Sequence, residues 1–203
     1  MKNMERMVRN MIVTVEREYG CGGEEIGRRL AERLQIPFLN GEILKQRAAE
    51  EGCYEEIQSF LEEEPVNSLL YSIAAEAGEL LGRQPSEQLK QLIREPDFVL
   101  VGCCGNMIFS GRKDTVSVLI HGKKEERAAE VAAGEGISER AACRKIQKED
   151  EKRDMFYRYY TGGEWGTASD FDLTLNGLKI GTEGCTEMIL EFLERMTAYR
   201  KNL

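Results

Sequence analysis

The chain has 203 residues, enough for one α/β domain, and its 41% apolar and 32% charged content is typical of a globular protein. Its formal net charge of −8 argues against nucleic-acid binding, because nucleic-acid binders normally have a surplus of Lys and Arg. The sequence has neither an apolar stretch long enough to cross a membrane nor an N-terminal signal-peptide core, so we expect a cytoplasmic protein without membrane association.

Five apolar runs are predicted to form strands, and three of them are nearly continuous and rich in β-branched residues. These runs are residues 11–15, 36–39, 98–102, 116–120 and 171–176. Segments with helical periodicity separate them, which predicts a parallel sheet that is covered by helices on both faces. We expect the strand at 11–15 to be central and the ligand to bind at the carboxyl ends of the strands.

The predicted helices place apolar residues at helical spacing between charged ones. They cover about 24–34, 42–62, 86–94, 123–133, 138–160 and 182–196, with breaks at Gly52, Pro65, Gly82 and Pro85. Ser138 is the predicted N-cap of the fifth helix, and Thr182 is the predicted start of the last one.

A glycine-rich loop, REYGCGG at residues 17–23, joins the first strand to the first helix. A strand, such a loop and a helix N-terminus together favour an anion, because N–H groups and the helix dipole point at it. The phosphate-loop pattern G-x-x-x-x-G-K-[ST] is incomplete here, since Gly23 stands at the lysine position. The dinucleotide pattern G-x-G-x-x-G fails at Glu25, which makes an oxidoreductase a weak hypothesis. A simple tight turn is the alternative interpretation.

Arg17 is the candidate for the positive charge that the missing lysine would supply, since a guanidinium can bind phosphate oxygens through two hydrogen bonds. An ion pair with Glu16 or Glu18 is an equally good interpretation. Glu24 lies in the first helical turn, where an acid is either a partner of the helix dipole or a ligand of phosphate-bound Mg²⁺. No zinc site is expected, because the chain has one histidine and no CxxC pair.

The helix predicted at 138–160 has one face on which two charged residues interrupt an apolar stripe. This face consists of Ala142, Ile146, Asp150, Arg153 and Tyr157. Asp150 and Arg153 need partners there, either each other at i,i+3 spacing or a ligand. A second stripe is predicted to be a solvated face and consists of Arg140, Arg144, Lys148 and Lys152.

Four blocks of the sequence resemble the cytidylate kinase-like proteins, a branch of the nucleoside monophosphate kinases whose phosphate loop has no lysine. REYGCGGEEIG resembles the loop of this family, and FVLVGCCGNMIF resembles its V-G-R-C-A-D segment. DEKRDMFYRYYTGGEWG resembles its lid, and DFDLTLNGLKIG resembles its last strand and turn. The blocks occur in the family's order and extend over most of residues 11–192.

The resemblance implies a single domain, residues 1–203, with a P-loop kinase fold and a five-stranded parallel sheet. It also implies a helical monophosphate-binding insertion near 41–95 and a mobile lid near 135–170. ATP would be the phosphoryl donor, with Mg²⁺ on its phosphates, and the acceptor would be a nucleoside monophosphate such as CMP or a related small molecule. A homodimer is compatible with the resemblance, although no motif specifies one.

The same resemblance assigns expected roles by position. The donor phosphates would contact Gly20, Cys21, Gly22, Gly23 and Glu24, with Arg17 beside them. Arg127 and Arg153 would correspond to arginines that reach the donor nucleotide and the transferring phosphoryl group. Asp150 would hold Arg153 on a lid that closes over the phosphates, so that Arg17, Arg153 and Asp150 are the expected catalytic residues.

The sequence departs from the family in the segment VGCCGN, at two positions expected to bind the acceptor. Cys103 stands where the family has arginine, and Asn106 stands where it has aspartate. Loss of the arginine removes a charge-assisted contact worth about 1.5–3 kcal/mol, so we expect slow turnover of CMP. Cys103 and Cys104 are expected to fill buried space rather than to form a redox pair, because adjacent cysteines rarely form a relaxed disulfide. The alternative function is a nucleotide-binding protein with little or no catalysis and a regulatory role.

Overall fold

The computed structural model describes residues 11–64 and 83–201. In these residues a five-stranded sheet has the order β2-β3-β1-β4-β5, and every neighbouring pair is parallel. The strands are β1 (Ile12–Arg17), β2 (Phe38–Asn40), β3 (Phe98–Val101), β4 (Thr115–His121) and β5 (Leu173–Asn176). The predicted parallel α/β fold is therefore confirmed, with β1 at the centre of the sheet.

Helices connect the strands and cover both faces of the sheet. They are α1 (Gly23–Leu34), α2 (Gly41–Glu50), α3 (Tyr54–Leu61), α4 (Arg83–Leu92), α5 (Gly105–Ile108), α6 (Lys124–Glu135), α7 (Glu139–Thr161) and α8 (Gly177–Lys201). Gly181 interrupts α8 with φ 77° and ψ 165°, so its long segment begins near the predicted Thr182. Ser138 caps α7 as predicted, since its side chain accepts the Ala141 N–H at 3.3 Å.

Two of the four predicted helix breaks lie in the described residues, and the structure agrees with one of them. Gly52 separates α2 from α3 with φ 74°. The predicted break at Pro85 is wrong, because this residue lies in the first turn of α4, where proline's missing N–H removes no helix hydrogen bond. Pro65 and Gly82 lie outside the described residues.

Residues of β1 alternate between two apolar clusters, one on each face of the sheet. Val13 and Val15 belong to a cluster that includes residues of α1 and α8. Ile12 belongs to the other cluster, which includes residues of α2, α3, α4 and α7. Burial on both faces explains why the sequence of this strand is a continuous apolar run instead of an alternating one.

Helices α2, α3 and α4 lie between β2 and β3, within the region expected to form the helical insertion, and α7 lies within the expected lid. The extent of both regions stays a prediction. In residues 11–64 and 83–201 no helix combines the length and the apolar character that a membrane span requires.

Candidate functional site

The glycine-rich loop joins β1 to α1 at the carboxyl edge of the sheet. Gly20 and Gly22 have φ of 84° and 74°, in the left-handed region that glycine adopts without a steric penalty. Gly22 occupies the N-cap position of α1, and in the described part of the chain no side chain caps this helix end. The first N–H groups of α1 have no acceptor within the helix, so this end of α1 is suited to bind an anion.

Close packing determines the shape of this loop. A Cβ atom at Gly20 would lie 2.8 Å from Val131 Cγ2, and one at Gly22 would lie 2.9 Å from Thr182 Cγ2. A Cβ atom at Gly23 would collide with the side chain of Arg17. Only backbone without side chains fits between α6, α8 and Arg17, which explains the glycines independently of any ligand.

Cys21 is the loop residue whose expected contact with phosphate is least supported by its geometry. Its side chain is 1% exposed and belongs to the apolar cluster that includes residues of β1, α1 and α8. Its N–H donates to the Glu18 carbonyl at 3.4 Å. A phosphate contact through Cys21 would therefore require its N–H to leave the Glu18 carbonyl, and this contact stays a prediction.

Arg17 pairs with Glu63, and not with Glu16 or Glu18 as the sequence suggested. Its Nη1 donates to both carboxylate oxygens of Glu63, at 2.8 and 3.1 Å. Arg153 joins the same group, because its Nε lies 3.4 Å from Glu63 Oε2 and its Nη1 donates to the Arg17 carbonyl at 3.0 Å. The structure thus brings together the two arginines that the sequence selected, around a carboxylate that it did not select.

Glu16 and Glu63 are two buried acids with opposite pKa shifts. Burial raises the pKa of Glu16 to about 7, and the negative charge of Glu63 adds to this increase. Burial also opposes ionisation of Glu63, but the positive charges of Arg17 and Arg153 outweigh it and lower the pKa of Glu63 to about 2. Burial and the neighbouring Arg17 lower the pKa of Arg153. At neutral pH two adjacent cations therefore surround one fully ionised carboxylate.

Asp150 pairs with Arg127 and not with Arg153, so the predicted i,i+3 pair on the lid helix is wrong. Arg127 Nη1 donates to Asp150 Oδ2 at 2.6 Å, and Asp150 Oδ1 accepts the Tyr19 N–H at 2.9 Å. Arg127 also donates to the carbonyls of Tyr19 and Gly122, both at 3.1 Å. The Arg127 side chain is 6% exposed, so this group fastens α7 and α6 to the glycine-rich loop.

A cleft of about 250 Å³ lies beside the loop. The residues that line it are Arg17, Glu24, Asn40, Gly41, Glu42, Lys45, Leu61, Glu62, Glu63, Glu149, Lys152 and Arg153. The prediction of a solvated face is wrong for Lys152, which lines this cleft with its side chain 30% exposed. Glu24 lies at the cleft's edge and accepts hydrogen bonds from Arg28 and Asn40, both at 3.2 Å.

The side chains of Cys103 and Asn106 are buried and, among the described residues, are not part of the cleft lining. Cys103 is 1% exposed in the apolar cluster on the α3 side of the sheet, and its N–H donates to Glu63 Oε1 at 2.9 Å. Asn106 is 4% exposed and donates to the Tyr157 hydroxyl at 2.9 Å. Burial raises the pKa of the Cys103 and Cys104 thiols well above the usual range, which fits inert filler better than a redox pair. Their acceptor-binding role stays a prediction.

Sequence reasoning missed three residues of this site, and only one of them had a usable signal. Glu16 is a charged residue at the end of an otherwise apolar strand, which indicates a buried acid with a special environment. Glu63 is the middle one of three consecutive glutamates, and nothing in the pattern distinguishes it from its neighbours. Lys45 has ordinary helical spacing, so its place in the cleft depends on how α2 packs.

Comparison with known proteins places this chain in a family. Residues 12–178 match the cytidylate kinase-like family, and a cytidylate kinase from Ignicoccus hospitalis is 26% identical over 183 residues, covering 90% of this chain and 98% of the relative. A solved structure of an uncharacterized protein from Eubacterium ventriosum has a TM-score of 0.67 at 24% identity and covers 91% of this chain and 98% of its own. A gluconokinase from Sinorhizobium meliloti has a TM-score of 0.54 at 14% identity, covering 93% and 97%. Both structures share the fold, and the family match extends from the first strand past the last one, so the chain belongs to the cytidylate kinase-like family.

Proposed function

We propose that this protein is a kinase that transfers a phosphoryl group from ATP to a nucleoside monophosphate, or to a related small phosphorylated acceptor. The observation that carries the proposal is that Arg17 and Arg153 both contact Glu63 and both line the cleft. The cleft lies beside the N-terminus of α1, which no described side chain caps. Phosphoryl transfer spreads negative charge over several oxygens, and its catalysis depends on positioning and cationic stabilisation. Two guanidinium groups beside a helix N-terminus supply both.

We assign the phosphoryl donor and the acceptor to adjacent parts of the site. The donor phosphates would lie against the N–H groups of Gly22, Gly23 and Glu24, because these belong to the first turn of α1. The acceptor would occupy the cleft, where Lys45 and Lys152 add positive charge beside five glutamates of the lining, one of which, Glu62, pairs with Lys45 at 3.2 Å. Mg²⁺ would neutralise charge on the donor phosphates, and it usually needs only one or two protein carboxylates. Glu24 fits that role, since its carboxylate lies at the N-terminus of α1 and lines the cleft.

A second candidate function, nucleotide binding with little turnover, is favoured by a different observation. Internal carboxylates already pair with the arginines of the site, since Glu63 binds Arg17 and Asp150 binds Arg127. Asp150 also accepts the Tyr19 N–H within the loop itself. A site in which protein carboxylates take positions suitable for phosphate could bind nucleotide as a signal without catalysis.

A single set of measurements separates these functions. Thermal unfolding is followed with ATP, ADP and the four common ribonucleoside monophosphates in the presence of Mg²⁺, and ADP formation is measured for each pair. A ligand at one hundred times its dissociation constant stabilises the folded state by about 2.7 kcal/mol, which is easily detected. Stabilisation with ADP formation supports the kinase, and stabilisation without it favours the regulatory protein. No stabilisation by any nucleotide would contradict both.

A further inference from the structure

We infer that Glu63 is a positioning residue, whose carboxylate holds Arg17 and Arg153 in the orientation that phosphoryl transfer at this site requires. The inference rests on the proposed function, because the two arginines are assigned to the phosphate there. Glu63 follows α3, a helix of the region expected to form the insertion, whereas the arginines belong to β1 and α7. One side chain thus connects three separate parts of the fold.

The carboxylate of Glu63 is fixed from several directions. Oε1 accepts from Arg17 Nη1 at 2.8 Å and from the Cys103 N–H at 2.9 Å. Oε2 accepts from Arg17 Nη1 at 3.1 Å and lies 3.4 Å from Arg153 Nε. The Glu63 side chain is 13% exposed, so water competes weakly with these partners. A carboxylate with this many donors has a defined position, and it therefore restricts the positions of both guanidinium groups.

Each arginine uses only part of its hydrogen-bonding capacity on these protein partners. Arg17 binds Glu63 through Nη1, and within residues 11–64 and 83–201 no acceptor bonds its Nε or Nη2. Arg153 uses Nη1 for the Arg17 carbonyl, and no described acceptor bonds its Nη2. Both side chains line the cleft. This arrangement is expected of a residue that orients two arginines while leaving donors for a phosphorylated ligand.

The backbone around Glu63 has two features that serve this contact. Glu63 has φ 50°, the left-handed conformation of the residue after a helix C-cap, and its N–H donates to the Phe60 carbonyl at 3.2 Å at the end of α3. Gly102 lies so close that a Cβ atom there would collide with Glu63 Oε1 and lie 2.7 Å from Arg17 Nη1. The turn that ends α3 and the glycine that follows β3 together allow this carboxylate to reach the arginines.

Charge is as important to this arrangement as shape. Arg17 and Arg153 are adjacent cations, and burial and the charge of Arg17 lower the pKa of Arg153. Without a carboxylate between them the two guanidinium groups would repel each other and separate. The change Glu63→Gln keeps the size of the side chain and removes its charge, so it tests this effect directly.

The experiment compares the wild type with Glu63→Gln, Glu63→Asp and the control Glu55→Gln, an exposed glutamate of α3. Steady-state kinetics use ATP and the best acceptor among CMP, UMP, AMP and GMP. A misplaced catalytic group costs up to about a hundredfold in rate, so we expect Glu63→Gln to lower kcat at least about tenfold. KM should stay within about threefold or fall, because a negative charge near the anion site is removed. Glu63→Asp should recover part of kcat.

A second measurement does not depend on turnover. Nitrogen NMR of the Arg17 and Arg153 side chains reports rotation of each guanidinium, which we expect to be restricted in the wild type and in Glu55→Gln. In Glu63→Gln we expect faster rotation of both guanidinium groups, so that the two Nη signals of each arginine average to one. If that variant does not fold, Glu63→Asp undergoes the same measurements, with smaller expected changes of the same sign.

The outcomes separate this inference from the proposed function. A wild type that phosphorylates no acceptor contradicts the kinase proposal. The NMR signals then test separately whether Glu63 orders the two guanidinium groups. Unchanged guanidinium signals in Glu63→Gln, or an unchanged kcat per folded enzyme, would overturn the positioning role. A raised kcat in Glu63→Gln would also overturn it, because Glu63 would then compete with the phosphate instead of preparing the site.

Discussion

Two arginine–carboxylate groups lie close together at the carboxyl edge of the sheet, and they differ in what they leave free for a ligand. Glu63 connects Arg17 and Arg153, which both line the cleft and keep unpaired donors in the described structure. Asp150 binds Arg127, whose other hydrogen bonds go to backbone carbonyls and whose Nε lies 3.5 Å from Glu18 Oε2. Arg127 and Arg153, to which the resemblance gave similar expected roles, therefore differ in their protein partners. We expect the first group to act on ligands and the second to maintain the fold.

The largest expected effect is the loss of stability in Arg127→Ala. The side chains of Arg127 and Asp150 are 6% and 20% exposed, so this substitution leaves a carboxylate with little access to water and without its cation. Breaking a buried pair in this way costs about 3–5 kcal/mol. Urea unfolding measures the change, with Arg144→Ala as the control, because Arg144 is exposed on α7. A loss below about 0.5 kcal/mol, typical of surface substitutions, would contradict the structural duty of Arg127.

The second prediction concerns activity and uses the other group. Arg17→Ala should lower kcat/KM for the ATP-dependent reaction about 10- to 100-fold, since a charge-assisted hydrogen bond contributes about 1.5–3 kcal/mol. The same kinetics on Arg144→Ala should match the wild type. Equal losses in both variants would show that general charge, and not the position of Arg17, supports the reaction.

The strands and most helices of this fold follow from local pattern, which is why the sequence predicted them well. β1 is buried on both faces and reads as a continuous apolar run, and the stripe on α7 buries Ala142, Ile146 and Tyr157 as predicted. The glycine-rich loop was also predictable as a turn, because Gly20 and Gly22 adopt the positive φ that glycine favours. The apolar runs, the helical stripe and the glycine turn are all patterns formed by residues that are close together in the sequence.

The partners of the charged residues were not predictable, because they depend on elements that are distant in sequence. Glu63 is separated from Arg17 by 46 positions and Arg127 from Asp150 by 23, and neither separation has a periodicity that marks the pair. The sequence therefore identified which residues on α7 needed partners, but the predicted pair of Asp150 with Arg153 is wrong. Lys152 was misassigned for a related reason, since helical spacing gives a residue's face but not what packs opposite that face.

The third prediction is a pH dependence of stability that originates in Glu16. Glu16 is 3% exposed, and burial and Glu63 raise its pKa to about 7, above the usual value of 4.5. The protonated form is then favoured in the folded state, so this contribution is fully present below pH 4.5 and is lost as the pH rises through 7. Glu16→Gln keeps an oxygen for the Gly105 N–H and removes the titration. The free energy of unfolding of the variant, relative to that of the wild type, should therefore rise by about 2 kcal/mol between pH 5 and pH 7.

Urea unfolding at a series of pH values measures this difference. Glu63, Arg17 and Arg153 surround Glu16 and are present in both proteins, so their own contributions largely cancel. Arg112→Gln, at an exposed arginine far along the chain, is the control for charge changes in general. A difference between wild type and Glu16→Gln that does not change with pH would show that Glu16 ionises normally.

The smallest expected effect concerns Cys103 and Asn106, the two positions at which the chain departs from its family. The sequence predicts slow CMP turnover and a gain in the double variant Cys103→Arg with Asn106→Asp. Both side chains are buried, so a new arginine must leave the apolar cluster to reach the cleft, where Arg17 already binds Glu63. We therefore expect a gain of about tenfold in kcat/KM for CMP, equal to about 1.4 kcal/mol, together with a loss of stability.

Steady-state kinetics with CMP, and ATP binding by calorimetry, decide whether these positions belong to the acceptor site. ATP affinity should be almost unaltered, because the loop and α1 do not include either position. Fast CMP turnover by the wild type would show that residues of the cleft, such as Lys45, hold the acceptor without the family's arginine. No gain in the double variant would mean that the protein uses another acceptor, and the cleft rather than the VGCCGN segment would then be the place to search for its specificity.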